Sequence, residues 1–235
     1  LNAQTEIYAR LLIASANRWV VSHYPKNKIT GEIMHTHTAK SLFNQNIQSA
    51  KDNLALYDAI VALHPRGVDI NWVLRSAVVF AVSALDTFFH DKIKYRVGRY
   101  DLSNLPPALG KFEIEIKELT AWDSATRKGD VLQNWVTNYL STRPLQSRTA
   151  IEESLKMAGI NAVWDTIEPD KDNKNALLRD LDLLVKRRNQ ISHEGDRMTS
   201  RRSGKALRPI TRLEVENWIK FVEDLVLKVE NAFPG

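Results

Sequence analysis

Cysteine is absent from the 235 residues. That excludes disulfide frameworks, thiolate metal sites, zinc fingers and cysteine nucleophiles, and it fits a reducing cytoplasm, the expected location. No run approaches the roughly 18 apolar residues of a membrane span. The opening Leu1-Asn2-Ala3-Gln4 also lacks the basic, apolar and small-residue order of a signal peptide, so no membrane partner is expected. A start at Leu1 rather than methionine points to a processed product or an excised fragment. Strand signals are nearly missing as well, because apolar residues recur every three and four positions rather than every two. No internal repeat or low-complexity stretch is evident.

What is present describes an ordinary globular chain, 43% hydrophobic and 26% charged, able to bury a substantial core. A net charge of +5 and a pI near 9.3 favour polyanionic partners. The excess is local: Arg187, Arg188, Arg197, Arg201, Arg202, Lys205 and Arg208 all fall between Lys186 and Arg212.

The periodicity predicts an all-α protein. One helix is expected over about residues 4 to 23 and a second from Thr38 to Leu63, each ending before a proline. A third begins near Asp69, a candidate N-cap, and carries the apolar block Val78 to Leu85 toward Tyr95, which should make it central. Shorter helices follow near Lys111 to Ala121, Asp130 to Leu140 and Arg148 to Met157, with Gly159 as a C-cap. A long helix with apolar positions Leu177, Leu181, Leu184 and Ile191 ends at Gly195. A final helix begins at Thr211, where Thr211 and Glu214 form a capping box. The expected organisation is a helical extension over residues 1–66 packing on a bundle over 67–235.

The most informative stretch is Arg188-Asn189-Gln190-Ile191-Ser192-His193, at the end of the long apolar-striped helix. Arginine cannot lose its proton and offers a planar fork of donors to phosphate oxygens, whereas histidine changes charge near neutral pH. This composition yields an Arg five residues before a His about 0.4 times by chance, and about 0.03 times with Asn directly after the Arg. The asparagine therefore carries most of the signal. At about 100° per residue, Arg188 falls on the apolar stripe, with Asn189 and His193 one turn apart on an adjacent face. An arginine there needs an anionic partner, and Asp86, late in the apolar third helix, is the candidate to orient Arg188 or His193. A purely structural Asp–Arg bridge is the plain alternative.

A long apolar helix with a late acidic residue (Ala84-Leu85-Asp86), a helix ending in Arg188-Asn189-x-x-x-His193, and a final amphipathic helix resemble the HEPN superfamily. The text from Leu183 to Gly195 is most similar to its RiboL-PSP branch. The resemblance covers roughly Asp69 to Phe233 and implies a helical bundle and a homodimer whose two motifs face one cleft. It further implies metal-independent cleavage of RNA in toxin or antiphage settings, without a cofactor and under the control of a cognate antitoxin or regulatory domain. By position, Arg188 and His193 would be catalytic, Asn189 and Asp86 supporting. Arg187, Arg197, Arg201, Arg202, Lys205 and Arg208 would bind RNA through its phosphates. Some HEPN toxins carry a tyrosine two residues after the histidine that a partner nucleotidyltransferase modifies. Gly195 stands there in this chain, so that control is not expected.

Two other readings compete. His90-Asp91, with His64 upstream and Asp180 or Asp182 downstream, suggests an HD-type metal phosphohydrolase, although an i,i+4 contact from Asp86 to His90 accounts for the same residues. A non-enzymatic HEPN-like module could use Arg188 as an anion anchor, but it would not require His193. His35-Thr36-His37 lacks the acidic or cysteine cluster of a metal site and reads as loop. Tryptophans such as Trp72, Trp164 and Trp218 sit among apolar neighbours and read as core.

Overall fold

The structure, a computed structural model, describes residues 38–64, 66–100, 102–113, 116–198 and 206–234. The helix expected over residues 4 to 23, His35-Thr36-His37, and the loop cations Arg201, Arg202 and Lys205 lie outside the described residues. Four long helices, Ala39–Ala62 (α1), Asn71–Val97 (α2), Lys171–Glu194 (α7) and Arg212–Ala232 (α8), carry most of the fold. Between α2 and α7 lie short 3-10 turns and the helices Leu119–Ser124 (α3), Lys128–Leu140 (α4), Arg148–Met157 (α5) and Val163–Ile167 (α6). No strand occurs among the described residues, only an isolated antiparallel bridge between Arg197 and Leu207.

Local chemistry sets the helix starts. Thr38 and Ser41 form a reciprocal capping box at α1, and Thr211 and Glu214 do the same at α8. Asp170 caps α7 by accepting from the Asn173 N–H. At α2 the Asp69 carboxylate accepts from the Asn71 N–H at 3.0 Å, although Ile70 holds the cap position itself.

α2 is the hub, in contact with α1, α4, α5, α7 and α8. Its buried residues spread round most of its circumference, including Leu74, Val78, Val82, Leu85, Phe88 and Phe89, as a helix surrounded by neighbours requires. α2 is also long and apolar enough to cross a membrane by length and composition, with a mean hydropathy of 1.5 over its most apolar window, 61% of which is buried within the bundle. Its apolar run is nevertheless broken in sequence by Arg75, Asp86 and Lys92.

Ion pairs report the helix directions. Asp58 meets Arg212 at 2.8 Å and Lys51 meets Glu223 at 2.6 Å, so α1 and α8 run antiparallel. The buried ammonium of Lys92 pairs with Glu230 at 2.8 Å, near the carboxyl ends of α2 and α8, which run parallel. Burial lowers the Lys92 pKa, and the Glu230 carboxylate opposes the shift.

α1, expected within an extension packed on the bundle, contributes to the bundle's buried core. Ala39, Phe43, Ile47, Ala50 and Leu54 of α1 belong to the same buried cluster as α2, and Phe43 packs edge-on against Phe88 at 5.9 Å. The polar stretch around Gly67 is the turn between two antiparallel helices of one bundle. Phe88 also meets Phe89 at 5.3 Å and is fully buried. Phe88→Ala should therefore cost about 3–5 kcal/mol in denaturant unfolding; a loss below about 1 kcal/mol would show that the α1–α2 seam can collapse to fill the space.

Candidate active site

α7 ends where the chain turns left-handed at two successive residues, Gly195 (φ 60°) and Asp196 (φ 56°). Glycine adopts this freely and aspartate tolerates it better than most side chains. Both backbone N–H groups converge on the Gln190 carbonyl. The turn sends the Asp196 carboxylate back into the protein, where it is 1% exposed. It accepts from Arg75 Nε at 2.5 Å, and from both terminal nitrogens of Arg187, one of them at 3.1 Å. Arg75 also donates to the Arg208 carbonyl and Arg187 to the Pro209 carbonyl, each at 3.0 Å. One carboxylate thus fastens the start of α2, the end of α7 and the chain entering α8, and sets α7 antiparallel to α2.

Beyond this clamp, Met198 N–H donates to the Ala206 carbonyl and Arg208 N–H to the Asp196 carbonyl, both at 2.8 Å. These rungs close the base of the basic loop. Arg197 is exposed, and Arg208 is half-buried with its guanidinium 2.9 Å from Glu194.

One expected assignment is corrected. Arg187, assigned to RNA, is 7% exposed and has both terminal nitrogens bonded to Asp196, so it is a core residue. Periodicity placed Arg188 on the buried stripe, but the cation that enters the core is its neighbour. Two adjacent arginines lie one on each side of the stripe's edge, and the buried Asp196, invisible to periodicity, selects Arg187.

Arg188 is left differently. It is half-buried, its Nη1 donates to the Asn189 side-chain oxygen at 3.2 Å, and its Nε is buried without a hydrogen-bond partner. No carboxylate lies within ion-pair distance of it among the described residues. Asn189 and His193 are exposed, one turn apart, and His193 has no side-chain partner among the described residues.

Asp86 sits on α2 with its side chain 25% exposed. Its carboxylate accepts from the Leu145 N–H in the turn before α5 and from the Gln146 side chain, and lies 3.7 Å from His90. Burial raises its pKa; the Leu145 N–H, His90, Arg188 and Gln146 work in the opposite direction. Arg188 is therefore near enough to act on Asp86 through its field without bonding to it, and His193 is not among Asp86's partners. Arg75, Asp196, Gln146 and the Leu145 N–H had no place in the sequence reading. Only Arg75 carried a signal, as a lone cation in an apolar run.

The HD-type constellation does not assemble. His64 lies at the exposed end of α1 against the Ala62 carbonyl, Asp182 faces Arg148 at 3.8 Å and Asp180 faces Arg179 at 3.3 Å. Among the described residues no three histidine, aspartate or glutamate side chains group as metal ligands. His90 instead makes the i,i+4 contact to Asp86. A cleft of about 270 Å³ between α6, α7 and α8, lined by Glu168, Leu177, Asp180, Phe221, Asp224 and Lys228, contains none of the motif residues.

An all-α bundle with α2 at its hub, and a polar Arg-Asn-x-x-x-His face where α7 ends, defines the HEPN class. The RiboL-PSP-HEPN family profile matches residues 43–234, and the chain belongs to that family. Comparison with curated proteins and with solved structures returns no match. The match begins within α1, in keeping with α1's place in the common core.

Asp196→Ala would leave two buried guanidiniums without their anion, a change expected to cost about 3–5 kcal/mol. Chemical denaturation measures this, and a loss below about 1 kcal/mol would show that the clamp does not hold the motif helix. Asp91 gives a pH test. Burial raises its pKa from 3.8 to about 6, against the pull of Lys94. Its protonated form favours the folded state, a contribution fully present below 3.8 and lost as pH rises through about 6. Asp91→Asn should therefore match the parent in stability at low pH and exceed it increasingly across that window. A stability difference independent of pH would refute the assignment.

Proposed function

We propose that this protein is a metal-independent endoribonuclease in which Arg188 and His193 act on a phosphodiester of RNA. The observation that carries this reading is the contrast between neighbouring arginines: Arg187 is ion-paired to Asp196, whereas Arg188 has no carboxylate within ion-pair distance among the described residues and lies on the helix that also presents an unengaged His193. A structural cation would be paired with an anion; one kept for a ligand anion is left without a carboxylate.

Cleavage without metal requires the ribose 2′-hydroxyl to lose its proton, attack the adjacent phosphorus and expel the 5′ oxygen, leaving a 2′,3′-cyclic phosphate. His193 serves one of the two proton transfers. Arg188 binds the non-bridging oxygens and stabilises the charge that builds on them in the five-coordinate transition state. Asn189 holds the Arg188 guanidinium, and Asp86 tunes its field. A second chain, paired through the motif faces, would bring the second histidine that the two transfers call for. Exposed Arg197 and the loop cations Arg201, Arg202 and Lys205 supply phosphate contacts; Arg208, already engaged by Glu194, contributes less. Within the family's setting this is a toxin or antiphage effector of the cytoplasm, restrained by an antitoxin or a regulatory domain.

His193→Ala and Arg188→Ala should each abolish cleavage of single-stranded RNA while leaving thermal unfolding close to the parent's, since neither side chain is fully buried. Parent activity should persist in EDTA and leave cyclic phosphate ends. Unimpaired cleavage by either variant, or loss of activity on chelation, would overturn the mechanism.

A further inference from the structure

The turn that binds Asp86 also carries a surface feature that neither proton transfer nor phosphate binding uses. At the end of α4, Tyr139 is 39% exposed, and the Arg143 guanidinium lies over its ring, 4.2 Å from the centroid. Phe112 meets the same ring edge-on at 5.0 Å. Arg143 N–H donates to the carbonyl of the buried Leu140 at 2.8 Å, fixing the turn. The Arg143 side chain is itself exposed and has no ion-pair or hydrogen-bond partner among the described residues. One turn earlier on α4, Trp135 stacks on Trp122 at 5.6 Å, with Lys128 5.2 Å from the Trp122 ring centre. Trp135 is 8% exposed and belongs to the core. This face of α4 therefore carries aromatic groups whose Trp135 end is anchored in the core and whose Tyr139–Arg143 end is open.

We propose that Arg143 and Tyr139 form a stacking platform for an unpaired nucleobase of the substrate strand, beside the Asp86–Arg188 centre. Guanidinium is planar and weakly hydrated, so with one face on Tyr139 its other face suits a base, and its edge donors remain free for a phosphate. Unpaired RNA bases are commonly held on aromatic rings and arginine planes in this way, with little sequence preference. The reach is suitable: one residue, Pro144, separates Arg143 from Leu145, at most about 7 Å of chain, and the Leu145 N–H is bonded to Asp86. A base on the platform leaves its own or the next phosphodiester near Arg188. An arginine covering a tyrosine one turn away is a common surface contact; this pair is set apart because its turn also holds the site's carboxylate. The platform rests on the ribonuclease reading for its ligand class but not for its chemistry.

The test is binding of the intact protein to a short 2′-O-methyl RNA, which lacks the attacking hydroxyl and survives, beside an abasic strand of equal length and charge. Arg143→Lys keeps the charge and removes the plane; Tyr139→Leu removes the ring beneath it. Each should weaken binding of the base-bearing strand by between about fivefold and a hundredfold and leave the abasic strand unchanged. Equal losses on both strands, or none on either, would overturn the platform while leaving the nuclease reading standing. A parent that binds neither strand overturns both.

Discussion

The Asp196 carboxylate is the point on which the motif region depends. A buried anion is tolerated only when paired and hydrogen-bonded, and here two guanidiniums and a reversed helix end supply the partners. The interaction joins segments far apart in sequence: Arg75 opens the hub helix, Arg187 directly precedes Arg188, and Asp196 lies three residues beyond His193. Both ends of the motif are consequently fixed from within. The chain can then present Arg188, Asn189 and His193 at a helix end, where terminal turns otherwise fray.

Adjacent charges take opposite roles for this reason. With Arg187 consumed by the clamp, Arg188 lies about 100° further round the helix, half-buried and within reach of the Asp86 field. Asp86 is in turn held by the Leu145 N–H rather than by a cation. A carboxylate bonded to Arg188 would neutralise the positive charge needed for phosphate. One bonded to backbone orients the region and leaves that charge available.

Much of the fold was legible because it is written in short-range chemistry. The helix start at Thr38, the capping box at Thr211, the helix stop at Gly195, and the apolar periodicity of α1, α2 and α8 require only nearby residues. The motif was legible for the same reason. What escaped was long-range: Asp196 choosing Arg187 over Arg188, and Leu145 reaching Asp86 from 59 positions away. The turn after α1 is also a long-range matter, because a polar connection looks alike whether it joins two domains or two antiparallel helices. Only the burial of Phe43 and Ile47 against α2 distinguishes these cases.

The same distinction bears on the aromatic residues. In sequence, tryptophan among apolar neighbours reads as core; for Trp135 and Trp164 that is right, whereas Trp72 is exposed. Tyr139 shares the helix face of Trp135 one turn later, yet it emerges into solvent because α4 ends there and the chain turns back toward Asp86. The anchoring that buries one ring thus holds the next at the surface beside the site. An exposed aromatic fixed in this manner has already lost most of its conformational freedom, so a flat ligand stacking on it incurs little further entropy cost. Rigidity inherited from the core, rather than exposure alone, is what makes this end of α4 suited to recognition.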